Sequence, residues 1–312
     1  MKIGKYSFDK PKILAPMAGS TDISFREFAY ELGADFAVTE MVMANSIIYK
    51  NPKGFVLMER GEKDDPFILQ LAGSEKEQFL NVLDYVKDNN VDILDINMGC
   101  PAKKIIKKGA GSALLRDPQK VYDIVKSLKD NLDIPITVKI RLGFNDNELT
   151  YKKVLKNIEK AGADAVAVHR RTTSQQYGPY FPESIFEEIR DIVSIPFICN
   201  GEIRTQEDIN RMFTYGCDGV MLGRQAIKTP WIFSGVDDEN IDIKTRYKFM
   251  KRHFELILKY YKKDRALFKM KKFYGSYIRG LRDSKAFKAE LMPMDNYDQV
   301  IEKIEDFFKD YV

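Results

Sequence analysis

The sequence predicts an α/β chain, a (β/α)8 TIM barrel followed by a small C-terminal helical domain. Three observations carry that prediction. Eight short apolar stretches alternate with segments of helical periodicity over about 225 residues. A helix-to-strand device recurs at Gly33-Ala34-Asp35, Gly162-Ala163-Asp164 and Gly216-Cys217-Asp218, where a helix stops on glycine and aspartate leads into an apolar run. Past Trp231 the strand pattern ends and apolar residues recur at helical spacing only.

In chain order, strands are expected near Ile13–Ala15, Phe36–Thr39, Phe67–Leu71, Asp92–Ile96, Ile136–Arg141, Asp164–His169, Phe197–Asn200 and Gly219–Gly223. Ile23–Leu32, Glu75–Lys87, Val121–Lys129 and Tyr151–Lys160 read as intervening helices. Asp133-Ile134-Pro135 and Ser194-Ile195-Pro196 repeat a second device that introduces a strand. A doubly wound open sheet would want a GxGxxG turn after the first strand, and Ala15-Pro16-Met17-Ala18-Gly19 does not supply one. Tyr247, Met250, Phe254, Ile257 and Tyr261, then Leu267, Met270, Tyr274, Tyr277 and Leu281, form apolar faces of two helices. The tail from Tyr297 reads as another. We therefore expect a barrel over 1–236 and a helical domain over 240–312, joined through Asp237-Asp238-Glu239.

Composition narrows the function classes. Of 312 residues, 44% are hydrophobic and 31% charged, as in a soluble globular protein. No apolar run approaches the roughly 18 residues of a membrane span, and the N-terminus lacks the apolar core of a signal peptide, so a cytoplasmic protein is expected. Cys100, Cys199 and Cys217 make no CxxC pair, and His169 and His253 are too few for a histidine-rich metal site. Cys199 and Cys217 read as small core residues. The net charge of +4 hides an asymmetry. Between Lys244 and Lys288 stand 16 Lys or Arg against 3 acidic residues, a net of +13, which leaves −9 for the rest. A basic segment on an acidic body points to a polyanionic partner.

Seven of the eight expected strands end in hydrogen-bonding or charged groups: Glu40, Gln70, Asn97, Lys139, His169, Asn200 and Arg224. Cys100 follows Asn97 in Asp95-Ile-Asn-Met-Gly-Cys-Pro101, where Gly99 frees the backbone and Pro101 ends the strand. In a barrel these groups converge on one mouth, apolar below and polar above, which suits a flat heteroaromatic cofactor with a phosphate tail. Lys139 inside an apolar strand is costly without an anionic or polar partner.

The chain resembles the dihydrouridine synthases, flavin enzymes that reduce uridine in tRNA, and most of all their bacterial B-type branch. The resemblance spans nearly the whole chain. It rests on an ordered set of motifs: Ala15-Pro-Met-Ala-Gly19, Gln70-Leu-Ala-Gly73, Asp95-Ile-Asn-Met-Gly-Cys-Pro101, Val138-Lys-Ile-Arg-Leu-Gly143, Asn200-Gly-Glu-Ile203, Gly219-Val-Met-Leu-Gly-Arg224 and Pro230-Trp-Ile-Phe233. It implies FMN contacts from Pro16, Met17, Ala18, Gln70, Lys139, His169, Asn200, Gly201, Glu202, Gly223 and Arg224. It implies NADPH (or NADH) as reductant and tRNA as partner; a monomer is expected. In that chemistry a hydride from the reduced flavin attacks uracil C6 and an acid protonates C5; Cys100 is implied as the acid. Free thiols, with an ordinary pKa near 8.5, are mostly protonated at neutral pH. Lys139 is implied to offset negative charge at the flavin edge. Asn97, Arg141 and Arg171 are expected to meet substrate, and Lys248 and Arg252 to face RNA.

Two departures stand out. The family's His-Gly-Arg-Thr-Arg-x-Gln run is His169-Arg-Arg-Thr-Thr-Ser-Gln175 here, and its Lys-His pair is Lys272-Phe273. Two rival readings stay open: an FMN barrel acting on a free pyrimidine, and an RNA-binding protein with an inactive barrel. The basic segment disfavours the first; intact Cys100, Lys139 and Gln70 disfavour the second.

Overall fold

A computed structural model describes residues 1–176 and 178–311. Eight parallel barrel strands follow in sequence: Lys12–Leu14, Phe36–Ala37, Ile68–Ala72, Ile93–Met98, Ile136–Arg141, Ala165–His169, Phe197–Asn200 and Gly219–Leu222. The last pairs with the first, Val220 opposite Lys12. The ring closes between the second and third through the Val38–Ile68 bridge and the Thr39 N–H donating to Ile68 O at 3.0 Å. A short strand, Val42–Met43, continues the second position and pairs with Leu71 and Ala72. The expected (β/α)8 barrel is thus present.

The recurring aspartates have a common task. Asp35, Asp92, Asp164 and Asp218 each stand just before a barrel strand and accept the N–H of Lys12, Phe67, Ile136 and Phe197 respectively, at 2.7, 3.0, 2.7 and 2.8 Å. Each ties the start of one strand to its neighbour and satisfies a backbone donor that the ladder leaves over. The glycines before Asp35, Asp164 and Asp218 have φ of +98, +90 and +78, the left-handed helix stop.

Alternation along each strand splits the interior into layers. Ile13, Phe36, Ile68, Ile93, Ala165 and Ile198 fill the lower barrel. An antiparallel pair that the sequence reading did not anticipate, Lys2–Ile3 with Tyr6–Ser7, plugs that end with buried Ile3, while Phe8 lies 5.0 Å from Phe36. Two and four residues further along the same inward faces come Gln70, Asp95, Asn97, Thr137, Lys139, Arg141, Ala167, His169 and Asn200. The outward set, such as Leu94, Ile96, Val138 and Ile140, packs under the helices.

Beyond Gly235 the chain is helical: Ile243–Tyr260, Lys263–Met270, Tyr274–Ile278, Ser284–Leu291 and Tyr297–Phe308. These helices share one core with the barrel. Phe28 stacks on His253 with centroids 4.9 Å apart, and Phe25 stacks on Phe273 at 5.2 Å. Ile243–Tyr260 runs along Ile23–Glu31, the barrel helix whose N-terminus lies at the mouth. Phe254 is buried and Tyr247 stacks on Phe308 at 4.6 Å, so that aromatic stripe is packing. Cys199 and Cys217 are buried in the core, as expected. Among the described residues no helix is long and apolar enough to cross a membrane.

Candidate active site

The polar upper layer surrounds a cavity of about 840 Å³, within the range of small-molecule sites. Of the barrel residues singled out in the sequence, its wall includes Pro16, Met17, Ala18, Gln70, Asn97, Cys100, Lys139, Arg141, His169, Arg171, Asn200, Gly201, Glu202, Gly223 and Arg224. Glu40, expected with them, does not line it and instead accepts the Ser20 N–H at 2.8 Å.

One hydrogen-bonded chain runs up from the barrel interior to Cys100. Buried Asp95 accepts from Thr137 Oγ1 and from Gln70 Nε2, both at 2.6 Å. Gln70 Oε1 in turn accepts from Asn97 Nδ2 at 2.9 Å. Asn97 Oδ1 then accepts the backbone N–H groups of Cys100 at 2.9 Å and Gly99 at 3.2 Å. Each amide is thereby oriented by the one beneath it. Burial pushes the Asp95 carboxyl above its ordinary range, against the pull of Gln70, Thr137 and Lys139. Asp95 and Thr137 were missed as functional residues; the inward alternation Asp95, Asn97 was the available signal.

The Cys100 turn is clamped from behind as well. Ser112 Oγ donates to Cys100 O at 2.9 Å, and Arg141 Nε donates to Gly99 O at 2.9 Å. Gly111, at φ +62, passes so close that a Cβ there would stand 3.1 Å from Cys100 Cβ and 2.9 Å from its carbonyl oxygen. Arg141 also donates to Thr172 O at 2.9 Å, bracing the loop across the mouth. It lines the cavity and shapes it. Asn97 keeps one amide N–H uncommitted among the described residues, suited to a ligand edge.

On the neighbouring strands Lys139 Nζ donates to Asn200 Oδ1 at 3.0 Å, while Asn200 Nδ2 donates to Met221 O at 2.8 Å. Desolvation and then Arg141 lower the Lys139 pKa to about 8, with Asp95 and Cys100 pulling the other way. His169 is held well below its ordinary value by burial and by Arg141, Lys139, Arg171 and Arg224, so it is neutral at physiological pH. At the far end Arg171, Arg204 and Arg224 converge on the Glu202 carboxylate, the first two at 3.0 and 2.6 Å. Gly201 is required there: its φ is +124 and a Cβ would fall 2.9 Å from His169 Cδ2. Amide and ammonium donors along one wall, with arginines at one end, form a donor set for a flat polar heterocycle with an anionic tail. Glu202 serves this set by positioning three guanidinium groups.

The altered loop now has a physical account. Arg170, where the resemblance expects glycine, turns away from the cavity. It donates to Gly201 O at 3.1 Å and Phe181 O at 3.0 Å, pairs with Glu183, and lies 4.2 Å from the Tyr180 ring centroid. It braces the Gly201 turn against the segment that carries Tyr180. Met41, Met221, Tyr180 and Lys103 also line the cavity and were not anticipated. Lys103 begins an exposed run, Lys103, Lys104, Lys107 and Lys108, just past Cys100.

Arg252 and Lys248, expected to face RNA from the helical unit, do not line the cavity. Arg252 forks onto Glu31 at 2.8 Å and reaches Glu255 at 2.9 Å. Lys259 bridges Glu27 at 3.0 Å and Glu62 at 2.8 Å. Lys269 meets Asp22, the cap of Ile23–Glu31 at the mouth. The order Glu31, Glu27, Asp22 shows the helical unit climbing towards the mouth, so exposed Lys248 lies at the far end. Within the helical unit, the cations nearest the mouth are on Lys263–Met270 and the turn after it.

The comparisons agree with this geometry. The family model described as Dihydrouridine synthase (Dus) matches residues 13–311. The tRNA-dihydrouridine synthase B of Vibrio parahaemolyticus is 32% identical over 99% of this chain and 98% of its own. That of Proteus vulgaris is 30% identical over 100% and 99%; that of Xanthomonas axonopodis is 36% identical over 76% and 71%. Among solved structures, the old yellow enzyme from Trypanosoma cruzi superposes with a TM-score of 0.51 over 74% of this chain and 88% of its own, at 14% identity, a likeness of fold. With its motifs converging on one cavity and a family match over nearly its whole length, the chain belongs to the dihydrouridine synthase family.

Proposed function

We propose that this chain is an FMN-dependent tRNA-dihydrouridine synthase, which reduces the C5=C6 bond of uridine in tRNA with electrons from NADPH (or NADH). The observation that carries the reading is the clamped Cys100 turn at the lip of a cavity whose other wall holds Lys139, Asn200 and the arginines. When bound and reduced, FMN supplies the hydride equivalent that goes to uracil C6. Gln70, Lys139, His169 and Asn200 would hold its ring system, and Arg171 and Arg224 its phosphate end. Cys100 Sγ gives a proton to C5, and its fixed turn keeps the thiol in place for that transfer. Asn97 orients the uracil edge with its remaining N–H. Lys139, with its pKa at about 8, is mostly charged at neutral pH and offsets negative charge at the cavity wall. The polyanion is met by cations on both sides of the mouth: Lys103, Lys104, Lys107 and Lys108 beside Cys100, and Arg265, Lys271 and Lys272 opposite.

The test is direct. Purified protein should carry flavin absorbance, oxidise NADPH, and convert uridines in unmodified tRNA to species two hydrogens heavier by mass spectrometry. A protein that carries flavin and reduces free pyrimidines but leaves tRNA unchanged would overturn the assignment.

A further inference from the structure

Phe268 is 67% exposed, although its helix, Lys263–Met270, buries Ala266, Leu267 and Met270. An exposed phenylalanine alone needs no explanation. Its surroundings do. Arg265 stands one turn before it with the guanidinium 5.5 Å from the ring centroid, and Lys271 and Lys272 stand one turn after. Among the described residues no carboxylate forms a salt bridge with Arg265, Lys271 or Lys272, unlike the seam cations Arg252 and Lys259. The next residue, Lys269, is tied to Asp22 at the barrel mouth, and Lys272 feels Asp22 and Glu40 electrostatically. The helix that carries the ring is thus tied at the mouth side of the helical unit, and the ring stands open to solvent with Arg265, Lys271 and Lys272 outnumbering Asp264 around it. An apolar protein partner would have to desolvate those cations without return. A nucleobase flanked by phosphates satisfies both: a π-face for the ring and anions for the charges.

We propose that Phe268 is a stacking platform for an unpaired RNA base outside the reacting cavity, with Arg265 and Lys271 on the adjoining phosphates. The proposal rests on the tRNA-modifying function proposed above. Binding of unmodified tRNA is to be measured across a salt series for wild type, Phe268→Ala, Phe268→Trp and Arg265→Glu/Lys271→Glu, with thermal unfolding as the check on folding. Phe268→Ala is expected to weaken binding roughly 5- to 100-fold. Its salt slope should match wild type, because no phosphate contact is lost. The double charge reversal should flatten that slope. Phe268→Trp should bind within about threefold of wild type and lose indole fluorescence on adding RNA, whereas the native Trp231 is fully buried. Phe268→Ala binding within twofold of wild type, or an indole whose emission RNA leaves unchanged, would overturn the proposal. If wild type makes dihydrouridine while Phe268→Ala binds normally, only the stacking role fails. If wild type neither binds tRNA nor modifies it, the function and the platform fail together.

Discussion

Cys100 is positioned by atoms outside its own side chain. Asn97 holds its N–H, Ser112 holds its carbonyl, and Gly111 leaves room behind its Cβ. Under the proposed role of Cys100 as the acid that protonates C5, Cys100→Ala should lower dihydrouridine formation by about 10²–10⁴-fold. RNA mass spectrometry after single turnover would reveal it, and near-normal conversion would refute the role. Lys139 offers a pH test. It is charged below about 8 in the folded protein, whereas in an unfolded chain it would keep its proton to about 10.4. Between those values the unfolded chain binds more protons, so the Lys139 contribution to stability rises with pH; the cost of the buried cation is felt below 8. Affinity for an anionic cofactor has the opposite sense. Flavin fluorescence quenching should report weaker FMN binding as pH passes about 8, and Lys139→Gln should bind weakly at every pH without that inflection.

The element that shapes the molecule beyond the barrel is the Ile23–Glu31 helix. It stacks Phe25 and Phe28 on the helical unit, pairs Glu27 and Glu31 with Lys259 and Arg252, and buries Arg26 against Asp64 at 2.8 Å with both side chains 1% exposed. Arg26 also donates to Glu59 O at 2.7 Å, so it fixes the chain from Glu59 to Asp64 on the helix. Asp64→Ala would strand a buried guanidinium and should cost about 3–5 kcal/mol in denaturant unfolding. Arg252→Glu sets like charges together on the half-exposed seam. It should lower the thermal midpoint while leaving the salt dependence of RNA binding unchanged.

At the scale of the whole molecule, much of the positive charge of Lys244–Lys288 is engaged inside the protein. Part of it neutralises the acidic face of the barrel helix, and Lys251, Lys263 and Arg279 pair with Glu305, Asp298 and Asp238. Among the described residues Arg265, Lys271 and Lys272 form no salt bridge and join the lysines past Cys100 around the mouth. RNA held at such a rim should show affinity that falls steeply with salt. Reversing Lys107 and Lys108 together should reduce that slope by about two, whereas reversing Lys248 should not change it. Filter binding across a salt series separates the two.

The barrel, its strand ends and the cavity wall were legible because they follow from local order. Glycine stops, aspartate leads and two-residue alternation fix which side chains point inwards and which end of each strand they occupy. Gln70, Asn97, Lys139, His169, Asn200 and Arg224 line the cavity for that reason, whereas Glu40 does not. The basic segment was legible only as a charge. Whether a given arginine meets RNA depends on which carboxylates lie opposite, and those of Glu31 and Glu27 stand 221 and 232 residues away in the chain. Arg170 likewise reads as one more cation in a loop until Gly201, Phe181 and Glu183 are seen around it. The sequence by itself determined the strand order, the layers and Cys100 at the mouth, since these are set by neighbours in the chain. Only the tertiary structure decided which charges are spent inside the protein and which remain for a partner, because electrostatic pairing is settled by distance in space.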